Sequence, residues 1–319
     1  MRAASLPGLD RSISRIVLGM SAASEELPLL YDRFVELGGN AFETARFYPA
    51  EPVLGEWLAG RSDRDAMVII GKGAHPAYQD GPPRVTPADI ATDLAVSLET
   101  LATDRIDLYV LHRDDPTVPV GEIMTALAEH RAAGRIGATS GSNWSTDRLA
   151  DANEWASEHG LPPFDASSPN LSLAVPTRPP WQGCLTAGDP ASIAWYERTQ
   201  LPLFAWAPLA RGYFSAEPVD LAPIRRHGMI PLDQDVDAAA AFDSPANHER
   251  RERARALATE LGVSANQVAL AWVLNQPFPT WAVIGARTTA ELAESVAAAD
   301  LELSPEQVRW LATGDGAPG

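Results

Sequence analysis

GGNAFETARFY, the stretch from Gly38 to Tyr48, decides the fold of this chain. It predicts the end of a helix, then a short buried strand, then a loop that ends on a tyrosine. Two later apolar runs have the same form, because VIIGK ends on Lys72 and IDLYVLH ends on His112. Three successive strands would therefore carry an acid with a tyrosine, a lysine and a histidine to their carboxyl ends. A parallel βα-barrel assembles its active site at that end.

The rest of the chain repeats this alternation of short apolar runs and amphipathic helical runs. Helix starts are marked by Pro28, by Thr86 as an N-cap, and by Ser264 as the N-cap of the run Ala265–Leu274. The predicted strands are Ser14–Leu18, Asn40–Glu43, Met67–Gly71, Asp107–Leu111, Ile136–Thr139, Phe164–Ser167, Pro202–Trp206 and Trp281–Ile284. Eight short strands with helices between them and no compositional break predict an α/β fold, a (β/α)8 TIM barrel that forms a single domain over residues 1–319.

The composition argues against several classes of partner. The chain has 42 acidic and 25 basic residues, and its formal charge of −17 would repel nucleic acid and anionic membranes. The lone Cys184 rules out an internal disulfide, which fits a reducing compartment. The histidines and acids show no metal-ligand spacing, and no apolar run approaches the length of a membrane span. We expect a soluble, cytoplasmic protein without a metal, and the sequence leaves its oligomeric state open.

Two connections are too long for simple turns between a strand and a helix. They run from Ser168 to Pro190 and from Ala207 to Glu249. Both follow predicted strands, so both would lie over the catalytic face of the barrel, where long loops are usually functional. The first is rich in proline, tryptophan and glycine. Its Trp181 and Cys184 are candidates for the wall of a substrate pocket, with ordinary loop packing as the alternative.

Five motifs, taken in order, give the chain its resemblance to a known family. They are ETARFY at Glu43–Tyr48, DLYVLH at Asp107–His112, SGSNW at Ser140–Trp144, VALAW at Val268–Trp272 and IGART at Ile284–Thr288. Each motif is weak alone, but together and at the expected strands they are specific. Over nearly its whole length the chain resembles the aldo-keto reductase superfamily of NADPH-dependent (β/α)8-barrel oxidoreductases.

The resemblance implies a catalytic set of four residues. Tyr48 would be the general acid that gives a proton to a carbonyl oxygen while hydride arrives at the carbon. A free tyrosine has a pKa of about 10, and the ammonium of Lys72 would lower it. His112 would orient the carbonyl by hydrogen bonding, and Glu43 would hold Lys72. The implied reaction is the NADPH-dependent reduction of an aldehyde or ketone to an alcohol, or the reverse.

The resemblance also implies a site for NADP(H). Ser142 and Asn143 would bind the nicotinamide carboxamide, Trp206 would stack under the ring, and Arg287 with Thr288 would take the adenosine 2′-phosphate. An arginine fork suits a phosphate, which favours NADPH over NADH. Barrel packing is the alternative for Trp206, and a solvated charge at a helix start is the alternative for Arg287. The resemblance places these further residues at the cofactor: Ser168, Leu209, Arg211, Gly285 and Glu291.

Four positions depart from the family pattern. Glu43 stands for the usual aspartate and is one methylene longer, so it would either reach the lysine after a small shift or tilt it away from the tyrosine. Ser168 replaces a glutamine that contacts the carboxamide, and Ala207 replaces a serine that contacts the pyrophosphate. Glu291 stands where a glutamine often meets the adenine, and its charge would not help a phosphorylated cofactor. These changes bear on cofactor affinity more than on cofactor identity.

Two other functions use the same barrel. The altered cofactor contacts and Glu43 would also suit a slow-turnover, NADPH-binding regulatory or scaffold subunit. A carboxylate-based hydrolase needs two facing acids, and apart from Glu43 only Asp114 and Asp115 are placed to serve. We rank the hydrolase last. For the reductase, the aromatic and proline content of the two long loops suggests a moderately large, partly apolar carbonyl compound or sugar-like ring as the substrate.

Overall fold

Parallel strands close into a barrel at the centre of the protein. The computed structural model describes residues 1–77, 81–179, 183–215 and 241–316. A short antiparallel hairpin, β1 (Ala3–Ser5) and β2 (Ser12–Ser14), precedes the barrel. The barrel strands are β3 (Ile16–Gly19), β4 (Ala41–Ala45), β5 (Val68–Gly73), β6 (Ile106–Leu111), β7 (Ile136–Ser142), β8 (Ala166–Ser168), β9 (Leu203–Trp206) and β10 (Thr280–Ile284). They follow one another in chain order, and β10 closes the ring by pairing with β3. The predicted eight-stranded (β/α)8 barrel is confirmed.

Helices cover the outside of the barrel. They are α1 (Leu27–Glu36), α2 (Ala50–Ala59), α3 (Pro87–Thr100), α4 (Val120–Ala132), α5 (Thr146–Glu158), α6 (Pro190–Thr199), α7 (Pro245–Leu261), α8 (Ala265–Leu274), α9 (Thr289–Ala297) and α10 (Pro305–Thr313). The predicted N-caps are confirmed, since the side chains of Thr86 and Ser264 each accept a backbone hydrogen bond from three residues on. The helix that Pro28 marks begins one residue before the proline, at Leu27, so that Pro28 lies inside the first turn.

The ends of several predicted strands are corrected by the structure. The predicted strand Ser14–Leu18 is divided, because Ser14 pairs with Ala3 in the hairpin and the barrel strand begins at Ile16. By contrast, β5 and β7 continue beyond their predicted ends, to Gly73 and Ser142. Glycine and serine at these ends interrupt the apolar pattern, but their backbones still pair with the neighbouring strand. The corrections therefore concern the polar rim of the barrel and leave its order unchanged.

Side chains inside the barrel follow the two-residue period of a strand. Ile70 of β5 and Val110 of β6 belong to the buried cluster that fills the interior. Two residues further along, the next inward positions are Lys72 and His112. The interior thus changes from apolar to polar at the carboxyl ends of the strands. This change places the candidate site at the end that the sequence predicts.

The hairpin closes the amino-terminal end of the barrel. Leu6 and Ile13 are 2% and 0% exposed, and they belong to the interior cluster together with Trp281. The indole of Trp281 stacks on Phe204, with ring centroids 4.9 Å apart. The lower part of the barrel is therefore a packed apolar core, and a ligand can enter from the carboxyl end. The sequence pattern does not predict this hairpin.

The described parts of the two long connections lie at the carboxyl end. The first returns to the barrel, because Asn170 forms isolated bridges with Thr186 and Trp206. It ends at Pro190, the start of α6, as predicted. The second ends at Pro245, earlier than expected, because Ser244 caps α7. Trp181, a candidate for the substrate wall, lies outside the described residues.

No single helix among the residues with described positions is long and apolar enough to cross a membrane. The consecutive helices α7 and α8 meet the length and composition test only when taken together, and they are bent by 101° at the break between them. Residues Val268–Leu274 of α8 are buried in the protein interior.

Candidate active site

The four predicted catalytic residues meet at the carboxyl end of the barrel. Glu43 comes from β4, Lys72 from β5, and His112 from the residue after β6. Tyr48 lies in the turn between β4 and α2, where its backbone N–H donates to the carbonyl of Ala45 over 2.7 Å. All four catalytic candidates line one cavity of about 1050 Å³. The structure thus brings together residues that are up to 69 positions apart in the chain.

The longer side chain of Glu43 reaches Lys72. The lysine ammonium contacts Oε1 of Glu43 in an ion pair, and the side chains of Lys72 and Glu43 are 5% and 9% exposed. Space for the longer acid comes from Gly19 on the neighbouring strand. A Cβ atom at position 19 would lie 2.8 Å from Oε2 of Glu43 and 2.6 Å from Cγ1 of Val283. The sequence left open whether Glu43 would reach Lys72 or tilt it away from Tyr48, and in the structure Glu43 reaches Lys72.

Lys72 lies directly beside the tyrosine. Its Nζ is 4.7 Å from the centre of the Tyr48 ring. Burial, and then the charge of Arg113, lower the pKa of Lys72 well below its usual value. Contact with Glu43 acts in the opposite direction, since a carboxylate favours the charged form of a lysine. The ion pair is therefore what keeps a positive charge available at this depth.

The Tyr48 hydroxyl faces the imidazole of His112. Its oxygen lies 3.5 Å from Nε2 of His112, and the two rings meet edge to face with centroids 5.6 Å apart. Burial raises the pKa of Tyr48 to about 12, and the charges of Arg113 and Arg211 only partly oppose this. The expected lowering of the Tyr48 pKa is therefore wrong in direction. The reason is that a phenolate loses more by leaving water than it gains from the nearby cations.

His112 is neutral in this environment. Burial, and then the charges of Lys72 and Arg113, lower the pKa of His112 well below its usual value. A neutral imidazole has one donor and one acceptor nitrogen. Its Nδ1 is buried and makes no hydrogen bond to any residue of the described ranges. The ring can therefore share a hydrogen bond through Nε2 with Tyr48 or with the oxygen of a ligand.

Two residues beside the catalytic set were not assigned a role from the sequence. Arg113 lines the same cavity, and its charge acts on Tyr48, Lys72 and His112. His75 packs against His112 with ring centroids 4.7 Å apart. Arg113 comes one residue after His112 and His75 comes three after Lys72. Closeness in sequence to the strand ends is the signal that could have found both.

The predicted cofactor residues share this cavity, with one exception. The cavity is lined by Ser142, Asn143, Ser168, Trp206, Leu209, Arg211, Gly285, Arg287 and Glu291. Thr288 is not among the lining residues. It caps α9, where its side chain accepts a hydrogen bond from the backbone N–H of Glu291 at 3.2 Å. The structure therefore assigns Thr288 to the helix start.

Three polar side chains form a connected edge at the strand ends. Ser142 Oγ donates to the carbonyl of Ser168 over 2.7 Å, and Asn143 Nδ2 donates to Ser142 Oγ over 3.0 Å. Ser168 Oγ donates to the carbonyl of Phe204 over 2.9 Å. Asn143 has a left-handed φ of 59°, a conformation that asparagine tolerates better than most residues. These contacts fix the positions of amide and hydroxyl groups that suit a carboxamide.

The turn after β9 contains several left-handed residues. Ala207, Ala210 and Arg211 have φ values of 47°, 47° and 55°. Residues other than glycine keep such values only where the surrounding structure imposes them, commonly at binding sites. Ala207 and Arg211 line the cavity, and Ala210 does not. The turn is therefore shaped by its place at the cavity rim, and this includes Ala207, where the family usually has serine.

Arg287 is paired with Glu291 at the rim of the cavity. Nη2 of Arg287 lies 2.6 Å from Oε1 of Glu291, and the backbone N–H of Arg287 donates to Oε2 over 2.8 Å. The side chains of Arg287 and Glu291 are 40% and 37% exposed. Burial raises the pKa of Glu291, but the hydrogen bonds and the charge of Arg287 outweigh this effect and hold the pKa below its usual value. A 2′-phosphate would therefore compete with a carboxylate for this guanidinium.

The arrangement does not suit a hydrolase that uses two acids. Asp114 lies 3.2 Å from Nε of Arg148, and Glu43 is paired with Lys72. In the ranges that the structure describes, no three His, Cys, Asp or Glu side chains are grouped to hold a metal. The polar groups that face the cavity instead include a phenol, an imidazole, an ammonium and four guanidinium groups. These groups suit proton transfer and the binding of anions.

Comparisons with known proteins agree with this geometry. The model of the Aldo/keto reductase family matches residues 16–313. The norsolorinic acid reductase stcV of Emericella nidulans is 30% identical over 306 residues, which cover 88% of this chain and 69% of the relative. The uncharacterized oxidoreductase YrpG of Bacillus subtilis is 26% identical over 298 residues, covering 88% and 84% of the two chains. A putative voltage-gated potassium channel subunit beta of Schizosaccharomyces pombe is 25% identical over 298 residues, covering 86% and 80%.

Proposed function

The chain belongs to the aldo/keto reductase family, and on that basis we propose that it is an NADPH-dependent oxidoreductase that reduces an aldehyde or ketone to an alcohol, or catalyses the reverse. One observation carries the proposal. The Tyr48 hydroxyl lies 3.5 Å from Nε2 of the buried His112, with the Lys72–Glu43 ion pair beside the same tyrosine. A bound nicotinamide would supply the hydride for the carbonyl carbon.

The protein's own residues handle the proton. In the proposed step, the carbonyl oxygen accepts hydrogen bonds from the Tyr48 hydroxyl and from Nε2 of neutral His112. With a pKa raised to about 12, Tyr48 holds its proton across the neutral range. An oxygen that gains negative charge as hydride reaches its carbon becomes a stronger base than a phenolate, so it takes the Tyr48 proton. The ammonium of Lys72 then offsets the charge that remains on the tyrosine.

The lining of the cavity supports the cofactor part of the proposal. Ser142 and Asn143 would hold the carboxamide, because their side chains are already fixed at the strand ends. Trp206 would lie against the ring, since it is the next inward position after Phe204 on β9. Arg287 would meet the 2′-phosphate after exchanging its bond to Glu291. A cavity of about 1050 Å³ is large enough for a dinucleotide together with a substrate.

Replacement of Tyr48 by phenylalanine tests the catalytic role. General acids contribute about 100- to 10,000-fold to rate, so we expect Y48F to lower kcat by a factor in this range. NADPH affinity, followed by quenching of tryptophan fluorescence, should change by less than about twofold, since the ring remains. A Y48F variant that turns over as fast as the wild type would remove Tyr48 from the mechanism.

A cofactor titration tests the preference between NADPH and NADH. Saturable quenching of tryptophan fluorescence by NADPH, with a weaker response to NADH, would support both Trp206 and Arg287 in the proposed roles. Absence of quenching by either compound would contradict the cofactor site and with it the oxidoreductase proposal.

A second candidate is a slow-turnover, NADPH-binding regulatory or scaffold subunit. It is favoured by the relative described as a putative potassium channel subunit beta. The raised pKa of Tyr48 also makes the tyrosine a weaker acid than the sequence predicts. Tight NADPH binding with no turnover of any aldehyde or ketone would select this candidate. Measurable wild-type turnover that is lost in Y48F would reject it. For both candidates we propose a cytoplasmic location, which the lone cysteine supports.

A further inference from the structure

Arg113 brings a positive charge into the cavity of an acidic protein. It follows His112 directly, lines the cavity that also contains Tyr48, and is half-buried. The whole chain has a formal charge of −17, so a cation here does not reflect the general character of the protein. A charge at this depth requires a local explanation.

The guanidinium of Arg113 has few bonds within the protein. Its side-chain hydrogen bond runs from Nη1 to the backbone carbonyl of His112 over 2.9 Å. In the part of the chain with described positions, no carboxylate forms an ion pair with it, although twelve other arginines have such partners. A guanidinium has five N–H donors, and a buried charge normally takes a partner of opposite sign. Arg113 therefore keeps donors for a ligand.

The acids nearest to Arg113 have other partners. Asp114, the next residue, contacts Nε of Arg148 at 3.2 Å. Glu43 is used by Lys72, so that pair adds no net charge to the cavity. The positive charge of Arg113 is thus not offset by the carboxylates beside it.

The backbone of Arg113 is held in place. Nε1 of Trp144 donates to the Arg113 carbonyl over 3.4 Å. The long loop after β8 passes beside the side chain, since a Cβ atom at Gly183 would lie 3.7 Å from Cδ of Arg113. Because the residue has contacts on both sides, its charge has a fixed place on the cavity wall.

The charge of Arg113 acts on the reacting groups. After burial, it is the next largest influence on the pKa of Tyr48 and of Lys72, and it lowers both. Arg211, from the turn after β9, acts on Tyr48 in the same direction. Two cations thus lie close to the hydroxyl that would give the proton to the substrate.

Resting on the reductase function proposed above, we infer that the substrate is a carbonyl compound that also bears a carboxylate, and that Arg113 binds this carboxylate. The planar fork of a guanidinium matches the two oxygens of a carboxylate. Neutral His112 cannot supply the charge for this contact. A charge-assisted hydrogen bond of this kind corresponds to about a 10- to 100-fold gain in affinity.

Two aldehydes of similar shape and different charge provide the test. They are 4-carboxybenzaldehyde and its neutral methyl ester, methyl 4-formylbenzoate, with the 3-substituted pair added to vary the distance between the carbonyl and the acid. Oxidation of NADPH gives kcat and KM for each compound. We expect the wild type to favour the acid over its ester by at least about tenfold in kcat/KM, with the difference in KM.

Variants of Arg113 assign the preference to this residue. R113M removes the charge with little change in length, and we expect the acid-to-ester ratio of kcat/KM to fall to about one. R113K keeps the charge but lacks the planar fork, so its ratio should lie between the two. The matched control is R309M, which removes an exposed arginine from α10, outside the cavity, and should keep the wild-type ratio.

Benzoate binding, measured by calorimetry, needs no turnover. We expect R113M to bind benzoate at least about tenfold more weakly than the wild type. If both aldehydes are reduced with equal kcat/KM and R113M leaves the ratio unchanged, the inference is overturned and the reductase function stands. If neither aldehyde is reduced and neither dinucleotide quenches the tryptophan fluorescence, the reductase proposal fails. Benzoate binding decides the inference whenever turnover is absent. Benzoate binding that is weakened in R113M then supports an anion site at Arg113. Benzoate binding that is unchanged in R113M, or no binding to the wild type, overturns the inference.

Discussion

At the scale of residues, the contact between Arg287 and Glu291 bears on the proposed preference for NADPH. Glutamine at position 291 keeps the length of the side chain but gives up the charge that holds the guanidinium. We expect E291Q to tighten NADPH binding by about 3- to 10-fold, because an exposed ion pair of about 0.2–1 kcal/mol and a repulsive charge are both removed. NADH lacks the 2′-phosphate, and its affinity should change by less.

Fluorescence titration with both dinucleotides measures this effect. E306Q, a change to an exposed acid on α10, is the control. Equal tightening of NADH and NADPH in E291Q would mean that Arg287 does not meet the phosphate.

Gly19 and Glu43 form a second contact that can be tested at the scale of residues. A Cβ atom at position 19 would crowd Oε2 of Glu43 at 2.8 Å, so G19A should destabilise the protein by about 1–3 kcal/mol. E43D shortens the acid and should recover part of this loss in the double variant. Recovery should be incomplete, because Cγ1 of Val283 would lie 2.6 Å from the added Cβ atom at position 19 in both variants. Urea unfolding of the four proteins gives the coupling, and strictly additive effects would contradict the contact.

At the scale of residues, the sequence could predict which side chains meet but not their ionisation. Lys72 and His112 lie at strand ends, where the two-residue period carries them inward, and Tyr48 lies in the turn after β4. The pKa of Tyr48 depends on how much water the folded site excludes, and that quantity is not encoded in spacing. The role of Gly19 also escaped prediction, because it depends on a contact between neighbouring strands. The pair Arg287–Glu291 has i,i+4 spacing, a signal that a helix-based analysis could have used.

At the scale of elements, two capping boxes provide a matched comparison. Ser264 caps α8 and also donates to Glu294 of α9, whereas Ser304 caps α10 and has its side-chain hydrogen bond to an acid, Glu306, within the same helix. S304A should cost about 1 kcal/mol of stability, the usual value for a lost N-cap. S264A should cost more, since the hydrogen bond to Glu294 that it removes joins α8 to α9, whereas the bond from Ser304 to Glu306 is local to α10. Urea unfolding tests the order, and an equal loss in both variants would contradict a structural role for the Glu294 contact.

Elements with marked ends were predicted well, and elements without such marks were missed. Pro87 and Ser264 are typical of helix starts, and the structure has helices that begin at these positions. The strands of the amino-terminal hairpin are only three residues long, Ala3–Ser5 and Ser12–Ser14, and carry few β-branched side chains. Their stability comes from covering the barrel, with Leu6 and Ile13 inside. That tertiary contact has no local signature in the sequence.

At the scale of the whole molecule, Glu51 should make stability depend on pH. The residue is 1% exposed, and its Oε1 accepts a hydrogen bond from Ser97 over 2.9 Å. Burial raises the pKa of Glu51 to about 7, and the bond from Ser97 only partly opposes this. The folded state therefore binds the proton more tightly than the unfolded state. The resulting stabilisation is complete below the unfolded pKa and is lost as the pH rises through about 7.

Removing the titrating group should remove this pH dependence. Between pH 5 and pH 8 we expect the wild type to lose about 3 kcal/mol more of its free energy of unfolding than E51Q does. E56Q, on the exposed side of the same helix, should keep the wild-type profile. Parallel profiles for E51Q and the wild type would show that Glu51 is already ionised when buried. Unfolding in one transition would also support the prediction of a single domain over residues 1–319.

The closed amino-terminal end of the barrel has a kinetic consequence. Leu6 and Ile13 fill that end, so everything that reaches the strand ends arrives and departs at the opposite side. A dinucleotide and a substrate would share this single entrance. The ligand bound at the strand ends must therefore bind first and dissociate last. We therefore expect a compulsory order of addition, with the dinucleotide leading. Release of the product dinucleotide would then be the rate-limiting step of turnover, and the chemical step would be faster.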